Sequence, residues 1–267
     1  MTFQQAFKYP FSLVTLSNEA YIPLAENMLK SAEINGHFRK GLITVYCTDD
    51  KSYNHFKSKG YQVRKSKYEN CSELAQPAGT LNFSLIARNI IPAILDELKN
   101  SKCVVWCDAD SYIEKFFIGV LRENLVDYNN VITLDGGPER LFSSGFMMLN
   151  PEKEVIDLME KAQSILEKRI ENNYILKYPV STCMADAYFE LTDNGKDDDM
   201  AKKIGLLPLP SNSFVGGYFL ENNRYDDSHK FVVHTDSEPD QHDGADFKIA
   251  LLKRKSCWMC DKEKSLT

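Results

Sequence analysis

A chain of 267 residues, 43% hydrophobic and 26% charged with a formal net charge of −6, has ample apolar material for one large buried core. The acidic balance excludes a general nucleic-acid binder, since the only basic cluster, Lys253-Arg254-Lys255, is short and reads as solvated surface. Met1 to Lys8 lack a basic stretch followed by an apolar one, and no apolar run reaches membrane-spanning length, so neither a signal peptide nor an integral membrane segment is expected.

Phe11-Ser-Leu-Val-Thr15 reads as the first strand, running into Leu16-Ser17-Asn18. From Glu19 to Asn35 apolar residues recur at helical spacing (Tyr21, Leu24, Ala25, Met28, Leu29, Ala32), and Gly36 is a stop signal. Leu42 to Cys47 predicts a second strand, Lys51 to Lys59 a short helix ending at Gly60, and Tyr61 to Arg64 a brief third strand. This alternation is the pattern of a parallel sheet. Tyr68 to Thr80 is polar and irregular. Phe83 to Leu98 is helical in period, with a break expected at Pro92. Cys103 to Cys107 is an unbroken apolar strand, and Val131 to Leu134 and Phe146 to Leu149 are two more. Val155 to Glu171 and Thr182 to Leu191 predict helices, and Asp193 to Lys203 an exposed connector. Leu206 to Pro210, with its prolines, fits an edge strand. Phe231-Val-Val233 is a last short strand, ending at His234. The expected fold is α/β, a single domain over residues 1–254 with a mostly parallel central sheet flanked by helices, followed by a tail over 255–267.

The chain contains seven cysteines, an odd number, and Cys47, Cys103, Cys107 and Cys183 lie in apolar contexts typical of buried thiols. A reducing, cytoplasmic compartment is the expectation. The Cys257-x-x-Cys260 pair has no second ligand pair and reads as incidental, and Asp197-Asp198-Asp199 as a solvated loop.

The chemistry concentrates at the end of the Cys103 strand, in Asp108-Ala109-Asp110. If the chain stays extended there, the two carboxylates share a face. Strand carboxyl ends line the ligand crevice of an open α/β sheet. Paired acids at that rim repel each other unless a cation lies between them, and hard oxygen donors suit Mg²⁺ or Mn²⁺. His234 also follows a strand end; on a parallel strand of the same sheet it would reach the same rim, and a nitrogen donor tilts the choice toward Mn²⁺. Gly244 and Lys248 supply flexible backbone and a cation for a phosphate. No Gly-x-x-x-x-Gly-Lys-Ser/Thr loop, Gly-x-Gly-x-x-Gly turn or Gly-x-Ser-x-Gly elbow occurs, which removes support for P-loop, dinucleotide-binding and triad-hydrolase readings.

A strand with Asp-x-Asp, a later Ser-Gly with an apolar strand, then a strand-His with Gly and Lys resembles the GT-A nucleotide-sugar glycosyltransferases, most of all the glycogenin-like and related retaining families. The likeness runs from Phe11 to about Lys253. It implies a Rossmann-like GT-A domain moving a sugar, with retention, from a nucleotide-diphosphate donor (UDP-sugar ahead of GDP-sugar) to a glycan or other hydroxyl acceptor. By the resemblance, Thr15, Leu16, Ser17 and Tyr21 would hold base and ribose. Arg88 would face the donor phosphates or sugar, and Asp108, Ala109, Gly244 and Lys248 the diphosphate. Ser144 and Gly145 would lie near the donor sugar. Asp108, Asp110 and His234 would hold Mn²⁺ or Mg²⁺. A carboxylate such as Asp186 or Asp135 would stabilise an oxocarbenium-like centre. Asp186 is followed by Ala187 where the family often has Gln, and His234 by Thr235-Asp236 where it has a small residue and Asn. Two other readings stand beside this one. One is a phosphatase of the haloacid dehalogenase type, with Asp108 as nucleophile and Asp110 as acid/base. The other is a non-catalytic nucleotide-sugar-binding module.

Overall fold

Continuous apolar runs separated by capped amphipathic segments set the architecture. Along the chain these are β1 (Phe11–Ser17), α1 (Ile22–Ile34), β2 (Ile43–Cys47), α2 (Asp50–Ser58), β3 (Gln62–Lys65), α3 (Leu81–Ala87), α4 (Ile90–Lys99), β4 (Cys103–Cys107), β5 (Ser111–Ile113), β6 (Val131–Asp135) and β7 (Phe142–Leu149). They continue as α5 (Lys153–Glu171), α6 (Pro179–Leu191), α7 (Asp198–Ile204), β8 (Leu206–Leu209), β9 (Phe214–Val215), α8 (Gly217–Glu221), β10 (Val232–His234) and α9 (Ala245–Arg254). The computed structural model describes residues 10–69, 76, 78–100, 102–119, 129–137, 141–227, 229–235 and 245–260.

Seven strands form one sheet in the order β3-β2-β1-β4-β7-β6-β8. All run parallel except β7, which is antiparallel to both neighbours. Period-2 alternation divides the strands between two cores. Leu13 and Val105 face α1 and α2, where Met28, Leu29 and Phe56 are buried. Val14, Val104 and Trp106 face α4, α5 and α6 across Ile91, Ile94, Leu158 and Met184. A central strand buried on both faces carries no polar alternation, which is why β4 reads as a continuous apolar run.

Local signals explain most boundaries. The Asp49 side chain caps α2 by accepting from Ser52 N at 2.8 Å, and Thr80 caps α3 by accepting from Phe83 N at 3.1 Å. The expected break at Pro92 falls instead at Arg88-Asn89, and Pro92 lies within the first turn of α4. Its missing N–H costs nothing there, because first-turn amides have no intrahelical acceptor. The exposed connector contains α7, capped by Asp197 accepting from Met200 N at 3.0 Å and stopped by Gly205 at φ 57°. The acidic run is thus a helix start. Leu206–Leu209 is the sheet edge, where Pro208 is tolerated.

The stretch expected as a tail from Lys255 is packed as far as Cys260. Cys257 and Trp258 join Leu24, Leu251 and Leu252 in a third apolar cluster. The fully buried Asn27 of α1 clasps this segment, donating to Cys257 O at 3.0 Å and accepting from Met259 N at 2.7 Å. Asn27→Ala is expected to strand two buried backbone groups, at about 1–3 kcal/mol. The check is a lower denaturation midpoint, with proteolysis newly admitted around residues 255–260. An unchanged midpoint would mean the clasp is ornamental.

Among the described residues no helix is long and apolar enough to cross a membrane. Cys47, Cys103, Cys107 and Cys183 are free, buried thiols; Cys71 lies outside the described residues. Burial alone pushes the Cys103 thiol up to about 12, so it is inert at neutral pH.

Candidate active site

The sheet order creates the site before any side chain is considered. From β1 the chain steps outward to β2 and β3, then returns to lay β4 on the other side of β1. Connections leaving the two central strands diverge, which opens a crevice at their carboxyl ends. Leu16 and Ser17 end β1 on one lip, and Asp108 follows β4 on the other.

Asp108-Ala109-Asp110 is a tight turn rather than extended strand: Ser111 N donates to Asp108 O at 3.0 Å, closing four residues. The turn reverses the chain into β5. There a second sheet begins, of order β5-β10-β9, with β10 antiparallel to β5 and His234 opposite Ser111. The histidine therefore arrives on a separate small sheet, not on a parallel strand of the main one. Thr235 fixes the register, donating from both N (3.2 Å) and Oγ1 (3.0 Å) to Asp110 O. His234 Nε2 lies 3.4 Å from Asp108 Oδ2 and 3.3 Å from Asp110 Oδ1. One donor atom from each of Asp108, Asp110 and His234 falls within 4.8 Å of the others.

Burial makes these charges matter. The Asp110 and His234 side chains are each only 5% exposed. Lys248, also buried, comes from α9 to pair with the second Asp110 oxygen. Burial alone would raise the Asp110 pKa, but the adjacent Lys248 and His234 outweigh it and hold the carboxyl well below its usual range. Trp106 Nε1 donates to Asp108 Oδ1 at 2.7 Å and fixes that carboxylate. The Lys248 ammonium stands 5.5 Å from the Tyr21 ring centroid, and burial raises the Tyr21 phenol. Gly145 of β7 backs the imidazole: a Cβ there would come within 2.6 Å of Nε2 and closer still to Cε1 and Nδ1. Two hard carboxylates and one imidazole, boxed together with no intervening side chain, fit a Mn²⁺- or Mg²⁺-sized cation.

Of the residues singled out from sequence, Leu16, Ser17, Tyr21, Asp108, Ala109 and Asp110 line one continuous cleft, joined by Ser144, Gly145, His234 and Lys248. Thr15 is fully buried beneath it. Three further residues singled out from sequence stand outside the cleft lining. Arg88 lies outside the cleft lining, its guanidinium 4.0 Å from the Tyr68 ring centroid. Asp186 sits two turns into α6 and pairs with Arg169 at 2.5 Å. Asp135 accepts from Gly137 N at 2.9 Å, folding into its own turn, and neither acid lines the cleft. Gly244 lies outside the described residues.

The sequence reading missed the opposite wall. Ser181, in the first turn of α6, accepts from Ser144 N at 3.0 Å and its hydroxyl lies 3.1 Å from Ser144 Oγ. Trp106 and an apolar stripe from α3 and α4 extend the lining, which also includes the polar Asn18, Gln76, Lys177 and Tyr178. Pro179 at the helix start was the available signal for the α6 turn.

No family model matches the chain, and no curated protein matches it. Solved structures do. The apo form of the glycosyltransferase GlyE of Streptococcus pneumoniae TIGR4 is 15% identical, covers 94% of this chain and superposes with a TM-score of 0.55; the chain spans 64% of GlyE. The galactosyltransferase LgtC, solved with donor and acceptor sugar analogs, is 13% identical over 91% of this chain and 96% of its own, with a TM-score of 0.53. Both likenesses cover the central sheet and its flanking helices, and at these identities they establish architecture: the chain has the GT-A fold of the glycosyltransferases.

Proposed function

We propose that the protein is a metal-dependent glycosyltransferase that moves a sugar from a nucleotide-diphosphate donor, UDP-linked ahead of GDP-linked, to a hydroxyl of a glycan or other acceptor, with retention of configuration. The observation that carries this is the meeting of Asp108, Asp110 and His234 within 4.8 Å at the β1/β4 crevice of a GT-A sheet. A nucleoside diphosphate leaves poorly until its growing charge is neutralised. A divalent cation held by these three residues would supply that neutralisation.

The chain's own side chains supply the rest. Lys248 faces the same centre and offers a second positive charge to the leaving phosphate. Leu16, Ser17 and Tyr21 form the β1 lip for base and ribose, and Asp108 and Ala109 present the turn to the diphosphate. Ser144 and Gly145, with Ser181, border the donor sugar. Asp186 and Asp135 are engaged elsewhere and take no part in this reading. Its buried free thiols are in keeping with a reducing, cytoplasmic setting.

Calorimetry of UDP and GDP binding with Mn²⁺ and with chelator tests the proposal. At least one nucleotide is expected to bind tightly with Mn²⁺ and at least tenfold more weakly without it, a dependence that His234→Ala should erase. Slow release of sugar from the matching nucleotide-sugar without acceptor should accompany it, which a silent binding module would not give. Binding indifferent to metal would refute the proposal.

A further inference from the structure

The part of the cleft wall built from α3 and α4 is apolar, and its composition bears on which sugar is carried; this rests on the function proposed above. Phe83, Ile86, Ala87 and Ile90 all line the cleft. Their spacing, i, i+3, i+4 and i+7, makes one stripe that runs along α3 and across the Arg88-Asn89 break into α4. Trp106 and Val180 extend it. Phe83, Ile86 and Ile90 are only half-buried, whereas Ile91, Ile94 and Leu98 of α4 are fully packed in the core. The stripe thus presents apolar surface to the cleft beyond what the core uses.

Its position assigns it to the sugar. Helix α3 packs against both α5 and α6, on the side where Ser144 and Ser181 meet. The stripe carries no charge: Arg88, the cation the helix offers, is turned onto Tyr68. Among the described residues no carboxylate, amide or guanidinium from α3 or the first turn of α4 lines the cleft. Gln76, Lys177 and Tyr178 elsewhere in the lining can bond sugar hydroxyls, but a hydroxyl turned onto this stripe would meet hydrocarbon with nothing to bond.

We infer that the donor sugar carries a methyl-bearing substituent, an N-acetyl group or a deoxy methyl, seated against Phe83, Ile86 and Trp106. A single methyl or methylene in a fitted apolar pocket is worth about 10–200-fold in discrimination. Burying the half-exposed stripe under it supplies the driving force.

Matched nucleotide-sugars separate the possibilities, with affinity and turnover measured on the full chain with Mn²⁺. The pairs are UDP-N-acetylglucosamine against UDP-glucose, UDP-N-acetylgalactosamine against UDP-galactose, UDP-6-deoxyglucose against UDP-glucose, and GDP-D-rhamnose against GDP-mannose. At least one methyl-bearing member is expected to bind about tenfold or more tightly than its parent. Ile86→Ser, at a half-buried position, should cut that preference to about threefold or less while leaving the affinity of the free nucleoside diphosphate unchanged; Ile86→Val should restore most of it. Parents that bind as well as or better than their partners overturn the inference and leave the glycosyltransferase reading standing. Failure of UDP and GDP alike to bind with Mn²⁺ overturns both.

Discussion

Asp110→Asn is expected to reduce kcat/KM for sugar transfer by about 10³-fold or more, equivalent to about 4 kcal/mol of transition-state stabilisation. It is also expected to destabilise the fold. The carboxylate serves two partners at once, Lys248 on one oxygen and His234 on the other. Asparagine keeps the shape and removes the charge, which leaves the buried Lys248 ammonium uncompensated. Breaking one side of a buried pair costs about 3–5 kcal/mol. The pH dependence follows from the direction of the Asp110 shift. Its folded pKa lies below that of an unfolded aspartate, about 3.9, because Lys248 and His234 overcome the effect of burial. Its contribution is therefore fully present above that value and is lost as pH falls through the folded pKa. Denaturant titrations with chelator should show a wild-type advantage that is flat from pH 6 to 8 and narrows below about pH 4. A variant as stable as wild type at pH 7, or one that keeps Mn²⁺-dependent turnover, would remove Asp110 from the centre of the site.

The main sheet was legible because β1, β2 and β4 are buried on both faces and so appear as short runs dominated by apolar and β-branched residues, unbroken in β4. The direction of β7 was not, since a strand's residues do not record which way it runs. The antiparallel hydrogen bonds that link it to β4 and β6 are a tertiary outcome. His234 does stand beside Asp108 and Asp110, but it arrives there on a strand of the small sheet and not on a parallel strand of the main one. A three-residue strand is too short to show a period, and its pairing with β5 depends on a turn at Ala109 that Asp-Ala-Asp does not announce. The Asp-x-Asp element was shared between a transferase and a phosphatase reading, and the sheet order with its reversed β7 is what decides the fold.

Arg88, Asp186 and Asp135 stand outside the cleft for geometric reasons. Arg88 was judged by distance along the chain, but Phe83, Ile86, Ala87 and Ile90 hold the face that meets the cleft, and Arg88 at the end of α3 points off that stripe. Asp186 belongs to a helix that touches the cleft only through its first turn. Seven residues beyond Pro179, at about 1.5 Å each, it is about 10 Å away along the axis. Asp135 does end a strand at the correct rim, but its carboxylate is taken by the Gly137 amide. An acid near a site in sequence acts there only if local hydrogen bonding leaves it free to turn inward.

Gly145→Ala is the second large effect expected, and it separates space from backbone freedom as the reason for a glycine. Gly145 is not at positive φ, so alanine meets no conformational penalty there. What it meets is the imidazole: the new methyl would lie within 2.6 Å of His234 Nε2, inside van der Waals contact. Neither partner yields easily. Gly145 O accepts from Asp108 N at 2.9 Å, tying β7 to the acid turn, and the His234 ring is 5% exposed and enclosed. The ring must therefore rotate, and Nε2 leaves its position between Asp108 and Asp110. Mn²⁺ affinity is expected to fall about 10–100-fold, the range seen when the group that orients a metal ligand is lost. Fold stability should also fall, by about 1–3 kcal/mol, the cost of forcing a methyl into an enclosed site. A double-mutant cycle read by Mn²⁺ titration gives the decisive comparison. If the loss acts through the ring, Gly145→Ala should add little once His234 is alanine. Equal losses in both backgrounds would mean that the methyl disturbs β7 itself rather than the His234 ring.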